Sequence, residues 1–255
     1  MQYLTSLRLS GYVKLEPGVL GSLTQLQHLA ISPKYRRGDT HNAGVRQWLH
    51  QLQHMQQLTL LRIEGIVCED GSASAASLSV LTASSKLQDL GVIECLLPAG
   101  VWQHVFPAGR QLPHLQKLEI YHVSEYLGTV VTAEGPEGTR LVTCCPGLQH
   151  LSMHVQDQQY SAELLAALQG LSALRTLLLF AHYSGGGDCL QAVIGLTRLR
   201  ELSLDVQRSK AVEGQPAEEL LLHSTQLQQL TKLVFLGSLS TWSGGDVLIF
   251  EVRWA

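Results

Sequence analysis

A six-residue phrase, Leu-x-x-Leu-x-Leu, recurs nine times along the chain, with Ile, Val, Met or Phe taking the last apolar place in some copies. A period that regular constrains the fold more than any single residue can. Its apolar positions are Leu4, Leu7 and Leu9; Leu26, Leu29 and Ile31; Leu58, Leu61 and Ile63; Leu87, Leu90 and Val92; Leu115, Leu118 and Ile120; Leu148, Leu151 and Met153; Leu174, Leu177 and Leu179; Leu199, Leu202 and Leu204; Leu230, Leu233 and Phe235. Successive first leucines are 22, 32, 29, 28, 33, 26, 25 and 31 residues apart. A unit of that length has room for one strand and one return segment, and it cannot bury its apolar face alone, so the units must stack.

Inside each phrase the second and third apolar residues stand two apart, the period of a strand with one buried face. Between phrases the spacing becomes helical. Val45, Trp48, Leu49, Leu52 and Met55 follow i, i+3, i+4, i+7, and Leu164, Leu165, Leu168 and Leu171 nearly do. Ser161 and Asp188 are suited to cap helix starts, because each offers an oxygen to unpaired backbone N–H groups. These patterns predict an α/β solenoid of about nine repeats filling residues 1–255 as one domain. Its strands should lie near 4–9, 26–31, 58–63, 87–92, 115–120, 148–153, 174–179, 199–204 and 230–235. At 244–255 the repeat fails, and Leu248, Phe250, Val252 and Trp254 alternate with Ile249, Glu251 and Arg253. That segment reads either as an irregular cap or as a truncated repeat, and the start at Leu4 reads as bare or truncated.

Composition narrows the function classes. The formal charge is −3 and, apart from Arg36 and Arg37, Lys and Arg are scattered, which argues against nucleic acid as a partner. No apolar run approaches the roughly 18 residues of a membrane span. Five cysteines, Cys68, Cys95, Cys144, Cys145 and Cys189, are odd in number and follow no CxxC spacing, so they predict reduced, packed thiols. The only asparagine, Asn42, lies outside a glycosylation sequon. A cytoplasmic protein is expected.

LGSLTQLQHLAI (Leu20 to Ile31), CCPGLQHLSM (Cys144 to Met153) and LTRLRELSL (Leu196 to Leu204) resemble leucine-rich repeat proteins over nearly the whole chain. The Cys-Pro-Gly-Leu start at Cys145 is similar to repeats of F-box substrate receptors of ubiquitin ligases. The Leu-Thr-x-Leu starts at Leu23 and Leu196 are similar to intracellular plant and green-algal repeat proteins. The resemblance implies a horseshoe with parallel strands on its concave face and helices on its convex face. It implies a non-enzymatic protein-binding role, as a substrate receptor for a ubiquitin ligase or as a scaffold of the cytoskeleton or the cilium axoneme. One departure stands out. The family places Asn or Cys eight residues after the first leucine, where the side chain bonds to backbone between repeats, and here only Cys95 does so. Irregular loops after the strands are therefore expected.

In that register the outward residues fall into rows. The first runs Ser6, His28, Leu60, Asp89, Lys117, His150, Thr176, Glu201, Lys232, and the second Arg8, Ala30, Arg62, Gly91, Glu119, Ser152, Leu178, Ser203, Val234. The third runs Ser10, Ser32, Glu64, Ile93, Tyr121, His154, Phe180, Asp205, Leu236. From the fifth strand to the eighth they gather Lys117, Glu119, Tyr121, His150, His154, Phe180, Glu201 and Asp205. Aromatic anchors among both charge signs are the composition of a protein-binding surface.

Chemistry fares worse. His150 and His154 share a strand face but lie about 13 Å apart, too far for one metal ion, and Glu201 and Asp205 are equally far apart. No nucleophile elbow is present, and Gly185, Gly186 and Gly187 are not followed by the Lys-Ser or Lys-Thr of a phosphate cradle. No cofactor, metal or small-molecule substrate is expected, and an enzyme is the third choice after receptor and scaffold.

Overall fold

The computed structural model describes residues 3–11, 18–33, 49–68, 75–98, 100–121, 124–125, 136–155, 166–182, 193, 195–207, 229–238 and 247–253. Twelve strands follow in chain order: β1 (Ser6–Gly11), β2 (His28–Pro33), β3 (Leu60–Glu64), β4 (Asp89–Ile93), β5 (Leu96–Leu97), β6 (Lys117–Tyr121), β7 (Ser124–Glu125), β8 (His150–Val155), β9 (Thr176–His182), β10 (Glu201–Gln207), β11 (Lys232–Ser238) and β12 (Val247–Arg253). Ten of them form one open sheet in the order β1-β2-β3-β4-β6-β8-β9-β10-β11-β12. The first nine strands of that sheet are parallel, and one strand of each leucine phrase supplies them.

Each parallel strand begins two residues after the first leucine of its phrase, later than the leucine spacing alone suggests. The reason is a repeated turn. In seven phrases the first leucine donates its N–H to the carbonyl three residues earlier, as Leu26 does to Leu23, Leu115 to Leu112 and Leu148 to Cys145. That leucine closes the turn and points into the core; Leu26, Leu115 and Leu148 are fully buried. The residue just before each strand then presents its carbonyl to two N–H groups of the next repeat. Thr5 accepts from Gln27 and His28, Gln27 from Thr59 and Leu60, and so on through Arg200, which accepts from Thr231 and Lys232.

Leucines of one sheet face, among them Leu29, Leu61, Leu90, Leu118, Leu151, Leu177, Leu202 and Leu233, enter a single core, joined by Leu20, Leu49, Leu52, Leu78, Leu81, Val101, Trp102, Val105 and Val142 from the return segments. Those segments are the 3-10 turns Leu20–Ser22 and Ala75–Thr82, the helices Val101–Val105 and Pro136–Thr143, and short helical stretches at 49–52 and 166–168. Trp102 stacks on Phe106 with ring centroids 6.1 Å apart. The expected helical positions Val45, Trp48, Leu164 and Leu165, the caps Ser161 and Asp188, and Gly185, Gly186 and Gly187 lie outside the described residues, as do Asn42, Arg36, Arg37 and Cys189.

The two ends of the sheet differ. At β1 the core is less covered: Leu4 is exposed, and Leu7 and Leu9 are only partly buried. At the other end β12 pairs antiparallel with β11, from Lys232 opposite Arg253 to Ser238 opposite Val247. Residues 247–253 of the alternating segment thus add a tenth strand to the sheet, and 244–246 and Trp254 lie outside the described residues.

Of the loops expected to be irregular, the described stretches after β3 and β4 are held by backbone pairing, and the segments 12–17, 34–48, 156–165, 183–192, 208–228 and 239–246 lie outside the described residues. Cys95, the one residue at the ladder position that fits, sets its thiol 3.2 Å from the Ile93 carbonyl and 3.8 Å from that of Ile63 in the neighbouring strand. Backbone pairing does the rest: Val67 bridges Leu96, and β5 pairs with β7 in a second, two-stranded parallel sheet.

Candidate functional site

The face of the sheet turned away from the leucine core carries the outward rows, and strand pairing places them as the sequence register expects. The first row is continuous from Ser6 to Lys232 and the second from Arg8 to Val234. In the third, Glu64 pairs with Ile93 and Ile93 with Tyr121, while His154, Phe180, Asp205 and Leu236 form a second run. A one-residue slip anywhere would have moved leucines to this face, so leucine burial on the other face pins the register.

Lys117, Glu119 and Tyr121 therefore stand side by side on β6, with His150 and His154 beside them on β8, Phe180 on β9, and Glu201 and Asp205 on β10. His154, Phe180 and Asp205 are placed by backbone register. Lys117, Glu119, Tyr121 and His150 are half-buried, whereas Glu201 is exposed.

The charges at the centre engage one another. Glu119 gathers three cationic or titratable groups: Arg62 Nη1 at 3.2 Å, Lys117 Nζ at 3.1 Å and His150 Nε2 at 3.8 Å. Lys117 also faces Asp89 at 3.7 Å. Arg62 and Asp89 are absent from the sequence-derived set of candidate residues although both stand in its rows. The signal that could have found Arg62 is Gly91, the second-row residue between Arg62 and Glu119. Its missing side chain leaves a furrow in which the Arg62 stem lies, with Cγ 3.2 Å from where a Cβ would be.

Burial tunes two of these groups. Asp89 has its pKa raised from the usual carboxylate range, because desolvation outweighs the attraction of Lys117. His150 is held below the usual imidazole range by desolvation first and by Lys117 second, against the opposing pull of Glu119, Asp89 and Glu201. Its Nε2 is buried and makes no hydrogen bond, since 3.8 Å to Glu119 is too long for one. The central cluster is thus two cations, two carboxylates and an imidazole disposed toward neutrality.

Cys95 and Cys145 are packing groups in the core. The thiols of Cys95 and Cys145 are pushed up to about 12 by burial and stay protonated at neutral pH. Among the described residues no group of three His, Cys, Asp or Glu side chains is arranged to hold a metal ion, and no helix is long and apolar enough to cross a membrane. No protein-family model matches this chain, and no curated protein does either.

Proposed function

We propose that the chain is a leucine-rich repeat solenoid that works by non-covalent recognition of a protein partner on the open face of its sheet. The observation that carries this reading is the unbroken register of the first two outward rows through nine parallel strands, a surface about 38 Å long at the usual strand spacing. A strip that long matches a protein contact and does not enclose a small molecule. Gly91, Ile93 and Ser152 are buried although they face away from the leucine core, which supports an inward curve of this face at its centre and hence a concave binding surface.

Tyr121 and Phe180 supply the aromatic anchors. The preorganised charges Lys117, Glu119, Arg62 and Asp89 set which partner surface is tolerated, because an unmatched charge brought against them is costly to bury. The partner class is a substrate of a ubiquitin ligase in the cytoplasm, a role that rests on the resemblance of the Cys145, Pro146, Gly147 and Leu148 start. No catalytic step belongs to this reading.

Affinity capture from cell extract with the chain and with a Tyr121→Glu, Phe180→Glu double variant tests it, circular dichroism establishing that the variant is folded. A partner retained by the chain and lost by the folded variant is the expected result. Ubiquitin-ligase subunits among the captured proteins support the receptor role, and cytoskeletal or ciliary components replace it with a scaffold. Partners that are the same with both proteins overturn recognition through this face.

A further inference from the structure

While the central charges engage one another, a positive excess stands toward the β1 end of the same face. Ala30 sits there between two arginines of its own row: strand pairing sets it opposite Arg8 on one side and opposite Arg62 on the other. Along β2, His28 and Ser32 flank it on the same face. The smallest side chain of the neighbourhood is thus ringed by two guanidiniums, an imidazole and a hydroxyl. Two strand spacings put the Arg8 and Arg62 Cα atoms about 10 Å apart, with only a methyl group between them.

Arg8 is exposed and makes no ion pair or hydrogen bond among the described residues. Arg62, 45% exposed, uses Nη1 on Glu119, which leaves Nε and Nη2 for another acceptor. Among the nine outward row positions of β1 to β3 the only carboxylate is Glu64, against the two arginines. This local positive excess sits on a chain whose formal charge is −3.

We propose that strands β1 to β3 form an anion-recognition site centred on Ala30, which takes a carboxylate side chain of the protein partner through Arg8, Arg62 and His28. Resting on the protein-recognition reading, this names the partner's chemistry: an extended segment with an Asp or Glu over Ala30. Guanidinium and carboxylate match as planar, bidentate groups, and the methyl floor lets the carboxylate sit low between the arginine stems. A lone arginine pair with no further basic residues in these rows lacks the extended footprint that a nucleic-acid backbone needs.

Ala30→Glu is the sharpest probe, because it installs the proposed carboxylate within the chain and occupies the site in place of a partner's. Binding of a fluorescein-labelled peptide of alternating Glu and Ser is followed by fluorescence anisotropy. The expected result is saturable binding that weakens as salt is added, falls about tenfold or more in Arg8→Ser and in Ala30→Glu, and is unchanged in Lys232→Ser at the far end of the face. No binding to the unaltered chain, or binding that Arg8→Ser and Ala30→Glu leave intact, overturns the site. The same variants in the capture experiment separate the two readings. A partner lost with Tyr121→Glu, Phe180→Glu but kept by Arg8→Ser and Ala30→Glu keeps face recognition and overturns the anion site. Peptide binding as expected with partners indifferent to the aromatic pair keeps the site and overturns the central surface.

Discussion

Arg62 on β3 reaches Glu119 on β6 at 3.2 Å although β4 runs between their strands. The bridge exists because β4 offers Gly91 at the crossing point, and the Arg62 stem lies in the furrow. An ion pair this accessible is worth about 0.5 kcal/mol. A double-mutant cycle on Arg62→Ala and Glu119→Ala should return a coupling of about that size by urea denaturation. In a Gly91→Val background the furrow is filled, and the coupling should vanish while the protein still folds. A coupling that survives Gly91→Val removes the furrow from the explanation.

Gly147 answers to a different constraint. A Cβ there would stand 2.6 Å from the Pro113 carbonyl oxygen, a backbone atom that cannot swing aside. Gly147→Ala should therefore destabilise the fold by about 2 kcal/mol, the scale of overpacking. Gly21→Ala is the matched control: its Cβ would meet only the Gln51 side chain at 3.8 Å, an ordinary contact. Thermal unfolding of the two variants should separate them clearly, and equal melting temperatures would contradict the close approach.

The parallel sheet was legible because leucine spacing is a property of the backbone path: nine phrases with one internal period allow one register, and residues as far apart as Ser6 and Lys232 fall in one row. Strand starts were misplaced by two residues because the first leucine is as buried as the second, so burial alone does not reveal that it belongs to a turn. The candidate surface was legible as rows but not as pairs. Which charges meet depends on side-chain reach, and the contact that organises the centre runs across a missing side chain, at Gly91. The order in the loops after β3 and β4 came from backbone pairing, which leaves no mark on residue identity beyond the glycine at position 65.

That glycine leads to a third expectation. Gly65 and Glu94 occupy equivalent places, seven residues after Leu58 and Leu87, and both have positive φ, 69° and 50°. The left-handed turn sends the chain from β4 into β5, with Glu94 N–H bonded to the Tyr121 carbonyl at 2.7 Å and Gly65 N–H to that of Ile93 at 2.9 Å. A non-glycine residue pays for that conformation by about 1 kcal/mol, partly offset by its stiffer unfolded chain. Glu94→Gly should raise stability by about 0.5 kcal/mol and Gly65→Ala should lower it by about the same amount. Chemical denaturation curves with unchanged m-values would carry the comparison, and a destabilised Glu94→Gly would show that the glutamate side chain, not the backbone, decides this turn.

The imidazole of His150 should make stability depend on pH in a definite direction. It faces Lys117 and Glu119 from β6, Asp89 from β4, Thr176 from β9 and Glu201 from β10, and burial with the Lys117 charge holds its pKa below the ordinary value near 6.5. Because the folded state binds this proton less readily than the unfolded state, the contribution of His150 is intact above the ordinary imidazole range. It is lost as pH falls from there toward the depressed folded value. Asp89 works the other way at lower pH, since a carboxyl with a raised pKa takes its proton more readily when folded and stability rises as it does. The histidine effect should therefore dominate the upper part of the range and be opposed by the aspartate below it. Unfolding free energy measured from pH 8 downward should decline for the unaltered chain and decline less for His150→Gln, the difference opening near the ordinary imidazole pKa. Parallel curves for the two proteins would mean that His150 is as accessible to protons in the folded chain as in the unfolded one, and that the centre of the face is wetter than its geometry implies.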